Sequence, residues 1–366
     1  MAELYATTLN LNGTWLDKVA IQNTIASVKL GAYGQEEPLL QKVFLFLEQW
    51  LNSDSFITLQ TSGSTGLPKQ IRINKEYLLR SAQMTGDFFS LQPGMSALLC
   101  LSPDYIAGKM MVVRAMVLRL NLIVAKTESN PIQNLEQDID FAAMVPLQVG
   151  TILKVSPEKL DRIKTLIIGG GPLSLSLEDS LQLSPTHCWH TYAMTETVSH
   201  IAARPVNGIN RTNWFIPMPG VSVSVDSRSC LVIKAPQLAE GMIITNDLAE
   251  LSGTKFRITG RIDDVIVSAG FKLLPQEIEK KLSRQIQIPF FLIGKDHPEA
   301  GQIAVLFIEG TLEQINITSL KSDLEHLLEP HEVPRKILMI TRFKYLESGK
   351  IDRRATFEEW NALKND

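Results

Sequence analysis

The sequence predicts a large α/β domain with layered mixed sheets over residues 1–260, followed by a small α+β domain over residues 261–366. Three observations carry that expectation. The chain has 366 residues, about two domains' worth at the usual domain size. From Phe56 onward, short apolar runs alternate with helix-period patterns, the mark of α/β layering. After Gly260-Arg261-Ile262-Asp263-Asp264 comes a compact set of strands and helices, about 100 residues and enough for an independent unit.

Composition narrows the function classes. The chain is 45% hydrophobic and 20% charged, so it buries a core and is not disordered. Its net charge of -3 lacks the basic footprint of a nucleic-acid binder. Cys100, Cys188 and Cys230 are far apart and odd in number, which suits a reducing compartment. Residues 1–11 show no positive region followed by an apolar core, so no signal peptide is expected. The stretch Ala107 to Ala125 is interrupted by Lys109, Arg114, Arg119 and Asn121, so no membrane span is expected there. A cytoplasmic protein is the default.

Taken in order, Phe56 to Leu59 reads as a strand running into a Gly/Ser/Thr loop. Asn74 then caps a helix from about Lys75 to Phe89. Ala97–Leu101, Leu122–Ala125, Phe141–Val145 and Leu166–Ile168 read as strands, with a helix at Gly108–Leu120. Val221–Val225 and Leu231–Lys234 form a hairpin around Asp226-Ser227-Arg228. Beyond residue 264 the pattern gives a helix at Pro275–Leu282 and strands at Phe290–Ile293 and Ile303–Ile308. A helix at Thr318–Leu328 and a strand at Lys336–Ile340 follow. The first 50 residues are the least informative.

The strongest chemical signal is Thr61-Ser62-Gly63-Ser64-Thr65-Gly66-Leu67-Pro68-Lys69, directly after a strand. Its two glycines let the backbone turn N–H groups towards an anion, and its hydroxyls and ammonium complete a phosphate cradle. It is not a Walker A loop, because the spacing differs and Gln70 follows the lysine. An ordinary Gly/Ser loop is the plainer alternative, and the context of further motifs decides against it. Three other chemistries fail. His187-Cys188-Trp189-His190 sits in a strand-like run whose neighbours point to opposite faces, which does not suit zinc. Gly169-Gly170-Gly171 lacks the dinucleotide spacing. Ser62 and Ser64 lack the G-x-S-x-G setting of a nucleophile.

With this loop the sequence resembles the adenylate-forming superfamily of acyl-CoA synthetases, peptide-synthetase adenylation domains and luciferases. Four more matches follow in the family's order. Gly169-Gly170-Gly171-Pro172-Leu173 resembles its adenine-side loop. Tyr192-Ala193-Met194-Thr195-Glu196 resembles its Tyr-Gly-x-Thr-Glu motif, with Ala193 where glycine is usual. Gly260-Arg261-Ile262-Asp263-Asp264, with Ser268-Ala269-Gly270, resembles the hinge and the segment after it. Ser348-Gly349-Lys350-Ile351-Asp352-Arg353 resembles the catalytic-lysine motif. Each is weak alone; five in order are specific.

The resemblance implies the adenylate-forming fold, here N-terminally shortened, and a reaction in which a carboxylate attacks the α-phosphate of ATP before CoA takes the acyl group. Cations and N–H donors must neutralise the charge that develops when two anions meet. By resemblance, Lys350 does so, Thr195 holds the α-phosphate, and Glu196 places Mg2+, a hard cation that prefers oxygen. Residues Thr61, Ser62, Gly63, Ser64, Thr65, Gly66 and Lys69 cradle phosphate. By the same resemblance Gly170 and Gly171 lie in the adenine-side loop, and Tyr192 belongs to the ATP-binding residues. Asp247 accepts the ribose hydroxyls with Arg261 beside it, although Asn246 stands where glycine is usual. Asp263 matches the hinge, and Gly270 the place where backbone passes the pantetheine arm.

The acid pocket is expected at Leu101 to Gly108 and the helix after it. Tyr105 stands where many relatives have histidine, leaving an aromatic wall. Lys109 and Arg119 read as solvent-facing. The spacing of Arg114 after Tyr105 resembles that of the arginine which the o-succinylbenzoate–CoA ligase branch of menaquinone biosynthesis sets against its substrate's second carboxylate. The expected partners are a small carboxylic acid, ATP and CoA, with homo-oligomerisation left open. Another aryl- or acyl-CoA ligase, a stand-alone adenylation domain and a non-catalytic binder are the alternatives. The phosphate loop begins at residue 61, so much of the usual N-terminal subdomain is absent from this sequence, and the layout of residues 1–55 is left open.

Overall fold

The computed structural model describes residues 6–33, 37–61, 69–311, 317–345 and 351–363. The first strands, β1 (Leu9–Leu11) and β2 (Thr14–Leu16), make a tight hairpin, and α1 (Lys18–Lys29) and α2 (Pro38–Leu51) follow. Asp17 caps α1 by accepting the Ala20 N–H at 2.8 Å. β3 (Phe56–Thr61) pairs antiparallel with β4 (Lys69–Asn74), the last pair being Thr61 with Lys69. α3 (Lys75–Phe89) starts where the sequence places it, with the Asn74 side chain accepting the Glu76 N–H at 2.9 Å.

The classical α/β part then alternates. It runs β5 (Ser96–Leu99), α4 (Ile106–Val117), β6 (Asn121–Val124), β7 (Ile139–Met144), α5 (Pro146–Val155), α6 (Pro157–Leu160), β8 (Ile163–Ile168), α7 (Leu175–Ser180) and β9 (His187–Ala193). β10 (His200–Pro205) and β11 (Ile216–Pro217) complete a nine-stranded sheet in the order β11-β10-β9-β8-β7-β5-β6-β1-β2. β5 to β9 are parallel neighbours, and β10, β11 and β2 pair antiparallel. One face packs on α1 to α4 through Trp50, Phe44, Met111 and Phe141. The other packs on α5 to α7 through Ile132, Val149, Ile152 and Leu181.

The chain passes from β5 to β6 on one side and returns to β7 on the other, so β5 and β7 flank a switch point. Ligands of such sheets bind outside the carboxyl ends of the strands near that point. Those ends here carry the Leu101–Tyr105 turn, the Gly169–Gly171 loop and the Tyr192–Glu196 segment.

A second, four-stranded antiparallel sheet contains β12 (Ser222–Val225), β13 (Cys230–Lys234), β14 (Met242–Ser252) and β15 (Lys255–Arg261). Its apolar face meets β10 and α3 through Phe215, Phe256, Ile201 and Met84. The expected hairpin is present; Asp226 closes it by accepting the Arg228 and Cys230 N–H groups at 2.8 and 2.9 Å. A single turn of 3-10 helix, Ile262–Asp264, leads from β15 into a separate sheet. That sheet holds β16 (Ile266–Ser268), β17 (Phe271–Leu273), β18 (Phe290–His297), β19 (Gly301–Glu309) and β20 (Lys336–Ile340), with α8 (Pro275–Leu282), α9 (Ile317–Leu327) and α10 (Arg353–Ala362). Leu282, Leu306 and Leu324 fill one face, and Phe291, Phe307 and Phe343 the other. The fold is therefore a large mixed α/β unit followed by a smaller α+β one.

Two basic side chains, one on α4 and one just past its end, differ in burial. Arg119 is exposed beyond the helix end, as the sequence suggests. Lys109 is not: it is only 6% exposed, with its ammonium 5.0 Å from the Phe46 ring centroid. α2, which the sequence did not reveal, covers that face of α4 and converts a solvent face into a buried one.

Candidate active site

Loops at the strand ends present some of the sequence-predicted residues. The Gly169–Gly171 loop leaves β8, and Gly170 has φ +81°, a backbone conformation that costs glycine little. Thr191 donates its hydroxyl to the Ile168 carbonyl at 3.2 Å, and a Cβ on Gly169 would lie 2.6 Å from that hydroxyl oxygen. His190 meets the Gly171 carbonyl at 3.1 Å; its pKa is pushed down to about 3, first by burial and then by Arg204. The neutral ring therefore donates to the loop from Nε2.

Tyr192, at the end of β9, packs edge-on against Phe256 and donates its hydroxyl to Asp247 Oδ2 at 2.5 Å. Burial and the neighbouring carboxylate both push the phenol's pKa up, so it stays a donor. Asp247 and Arg261 are cross-strand partners in β14 and β15, and Arg261 donates to Asp247 Oδ1 at 3.2 Å. The same guanidinium reaches Asp263 Oδ2 at 3.2 Å, and Asn246 Nδ2 reaches that oxygen at 3.0 Å. Tyr192, Asp247, Arg261 and Asp263 thus form one connected set. Asn246, the departure from the motif, is a clasp on Asp263.

Thr195 and Glu196 lie in a 3-10 turn after β9, with Glu196 exposed. Glu196 makes no ion pair among the described residues, which leaves its carboxylate oxygens open to a hard cation.

Arg114 lies on the buried side of α4 and is 2% exposed. Its Nη2 donates to Ser199 Oγ at 2.8 Å, its Nε to Thr85 Oγ1 at 3.3 Å, and Nη2 lies 3.4 Å from His200 Nδ1. Thr85 Oγ1 is also 3.3 Å from His200 Nε2. No carboxylate pairs with Arg114 among the described residues. Burial pulls its pKa down to about 9, and burial followed by the Arg114 charge holds His200 well below the usual histidine range. A buried cation surrounded by neutral oxygens and an imidazole lacks the anion that ordinarily offsets its desolvation.

Sequence reasoning did not single out Thr85, Ser199 or His200. Thr85 was one polar residue inside a long helix, and only packing α3 on α4 brings it to Arg114. Tyr105 does not join this group: it is 56% exposed and caps α4, nine residues or about 13 Å along the axis from Arg114. Gly270 has φ +85°, and a Cβ there would meet nothing within 4 Å; backbone conformation, not crowding within the chain, is what favours glycine. Ser62, Gly63, Ser64, Thr65, Gly66 and Lys350 lie outside the described residues, and of Thr61 and Lys69 only the backbone is described. The flanks of the lysine segment converge: Tyr345 and Ile351 form a bridge, and the Asp352 N–H reaches the Lys344 carbonyl at 2.8 Å.

The chain belongs to the AMP-binding enzyme family, whose model matches residues 16–241. Among solved structures it is similar to an acyl-CoA synthetase (AMP-forming)/AMP-acid ligase II-like protein from Dyadobacter fermentans. The two are 35% identical, the match covers 89% of this chain and 96% of that one, and the TM-score is 0.61. Among curated proteins it is similar to the 2-succinylbenzoate–CoA ligase of Salmonella typhimurium. That identity is 24% over 318 residues, 82% of this chain and 68% of the relative. The o-succinylbenzoate coenzyme A synthetase of Bacillus subtilis, solved with ATP and magnesium ion, shares the fold. It is 18% identical with a TM-score of 0.69, covering 82% of this chain and 69% of that one. In class the chain is an AMP-forming acid–thiol ligase.

Proposed function

We propose that this enzyme activates o-succinylbenzoate with ATP and transfers the acyl group to CoA, giving o-succinylbenzoyl-CoA, AMP and pyrophosphate. The observation that carries the choice of acid is Arg114, a buried guanidinium without an anionic partner among the described residues. An aryl acid with a second carboxylate supplies that anion, while its first carboxylate is left free to react. Two charge-assisted hydrogen bonds from a buried guanidinium read a carboxylate far better than a neutral group. The similarity to 2-succinylbenzoate–CoA ligases supports the same acid.

In the first step a carboxylate oxygen of the acid attacks the α-phosphorus of ATP, the bond to the bridging oxygen breaks, and pyrophosphate leaves. The Gly170 and Gly171 backbone and Tyr192 flank the adenine; Asp247, held by Tyr192 and Arg261, accepts the ribose hydroxyls. Thr195 contacts the α-phosphate. Glu196 would hold Mg2+, which when bound neutralises phosphate charge and lowers the barrier. The 61–69 loop would cradle the outer phosphates, and Lys350 would bridge the attacking carboxylate and the α-phosphate, both on sequence resemblance. In the second step the CoA thiol attacks the acyl carbon, loses its proton, and AMP departs. The domains divide at residues 260 and 261, the small one turning about Asp263 between steps to bring the Gly270 backbone to the pantetheine arm. The Arg261 and Asn246 side chains both bond Asp263.

The test is pyrophosphate release over a panel of acids, with and without CoA. Dicarboxylic aryl acids are expected to react and to give a CoA thioester without any carrier protein. A preference for simple fatty acids or monocarboxylic aryl acids would overturn the choice of acid and leave the ligase class standing.

A further inference from the structure

Val198 is a β-branched residue with φ 66° and ψ −49°, where side chains collide with their own backbone. It is the centre of a γ-turn of the rare, strained hand, closed by the Ser199 N–H on the Thr197 carbonyl at 2.6 Å. The surroundings over-determine the turn. The fully buried Thr197 hydroxyl accepts the Met194 N–H at 3.2 Å and lies 2.8 Å from the Ser199 carbonyl and 3.0 Å from that of Met194. The Val198 N–H bonds the Thr195 carbonyl at 3.0 Å, and its isopropyl group is 2% exposed within the main core.

On one side of this turn stand Thr195 and Glu196; on the other stands Ser199, whose hydroxyl takes the 2.8 Å bond from Arg114. We propose that Val198 is a positioning residue whose buried isopropyl anchors the strained turn and thereby fixes the acid-reading group Arg114–Ser199 relative to Thr195 and Glu196. Strain held at a functional site in this way sets alignment rather than binding. The inference rests on the functional reading above and assigns how its two halves are kept in register.

The distinguishing experiment compares Val198→Ala with Val198→Gly. Alanine removes the anchor and keeps the strain; glycine removes both, because it takes a positive φ at little cost. At an ordinary buried valine, alanine is the milder change. Here the order reverses. Val198→Gly is expected to melt about 1–3 °C above Val198→Ala. It is also expected to keep a kcat for pyrophosphate release with the diacid at least about fivefold higher, with KM for ATP nearly the same in all three proteins. Thr197→Val, which keeps the anchor but loses the hydroxyl that ties the turn to Met194 and Ser199, should lower kcat for the diacid while KM for ATP holds. Alanine matching or exceeding glycine in both stability and kcat would overturn the proposal, as would Thr197→Val with unchanged kcat. The melting order needs no substrate, so a wild-type protein silent towards every acid would sink the functional reading while the strained turn still stood or fell on its own.

Discussion

Arg114 offers the sharpest test because binding and stability should respond with opposite signs. In the free enzyme its guanidinium is fully buried and bonds Ser199, Thr85, the His200 ring and the Met111 sulfur, so among the described residues its charge is desolvated without an anion. Replacing it by Met keeps most of the volume and removes that cost. Thr85, Ser199 and His200 can still pair with one another, at contacts of 3.3 and 3.4 Å. The free Arg114→Met protein is therefore expected to be as stable as wild type or more so. Binding of the diacid should suffer strongly. Removing one partner of a buried charge pair costs about 2–5 kcal/mol, roughly 30- to several-thousand-fold in kcat/KM at 1.36 kcal/mol per tenfold. The assay is pyrophosphate release with the diacid and with its ester at the non-reacting carboxylate. The diacid should lose that factor, the ester should change little, and KM for ATP should hold. Arg114→Lys should recover only part, since the planar fork is gone. Equal damage to diacid and ester, or a large loss of stability, would show that Arg114 is a structural residue.

Lys350→Ala should lower the adenylation step by about 100- to 1000-fold while thioester formation from a presynthesised acyl-adenylate survives; equal loss in both would refute the domain rotation. Asp247→Asn should raise KM for ATP about tenfold or more, the loss expected when a charged acceptor becomes half donor, and leave KM for the acid unchanged in steady-state kinetics. His200 is held neutral in the fold, its pKa depressed below the ordinary 6.5 by burial and Arg114. Below pH 6.5 the unfolded chain then binds the extra proton, so stability falls as pH drops, by up to about 1.4 kcal/mol per unit for this group. His200→Gln should flatten that limb in urea titrations between pH 6.5 and 5; an unchanged slope would refute the assignment.

Much of the scaffold was legible along the chain because it depends on local chemistry. Asn74 caps its helix as read, and the Asp226–Arg228 turn joins its hairpin. Pro275–Leu282 and Lys336–Ile340 match the sequence bounds. Periodicity and turn residues act over a few positions and so leave a local trace. β1, β2, α1 and α2 were not read. Their pattern is short and apolar all round in α2, and only packing against α4 and the sheet edge tells which face is inside.

The site divided along the same line. The residues proposed to bear the chemistry stand out along the chain, since a Gly-rich turn, a Tyr-x-x-Thr-Glu run and an Asp one strand from an Arg are each local statements. What the tertiary structure decided was their company. Thr85 and Ser199, 114 positions apart, meet at Arg114 because α3, α4 and the start of β10 pack together. Lys109 becomes a buried neighbour of Phe46, Tyr105 faces outward, and Asn246 takes hold of Asp263. Burial, charge compensation and the strained turn at Val198 are properties of the whole packed chain, because each depends on which distant atoms exclude water from a group. No short stretch of sequence contains that information.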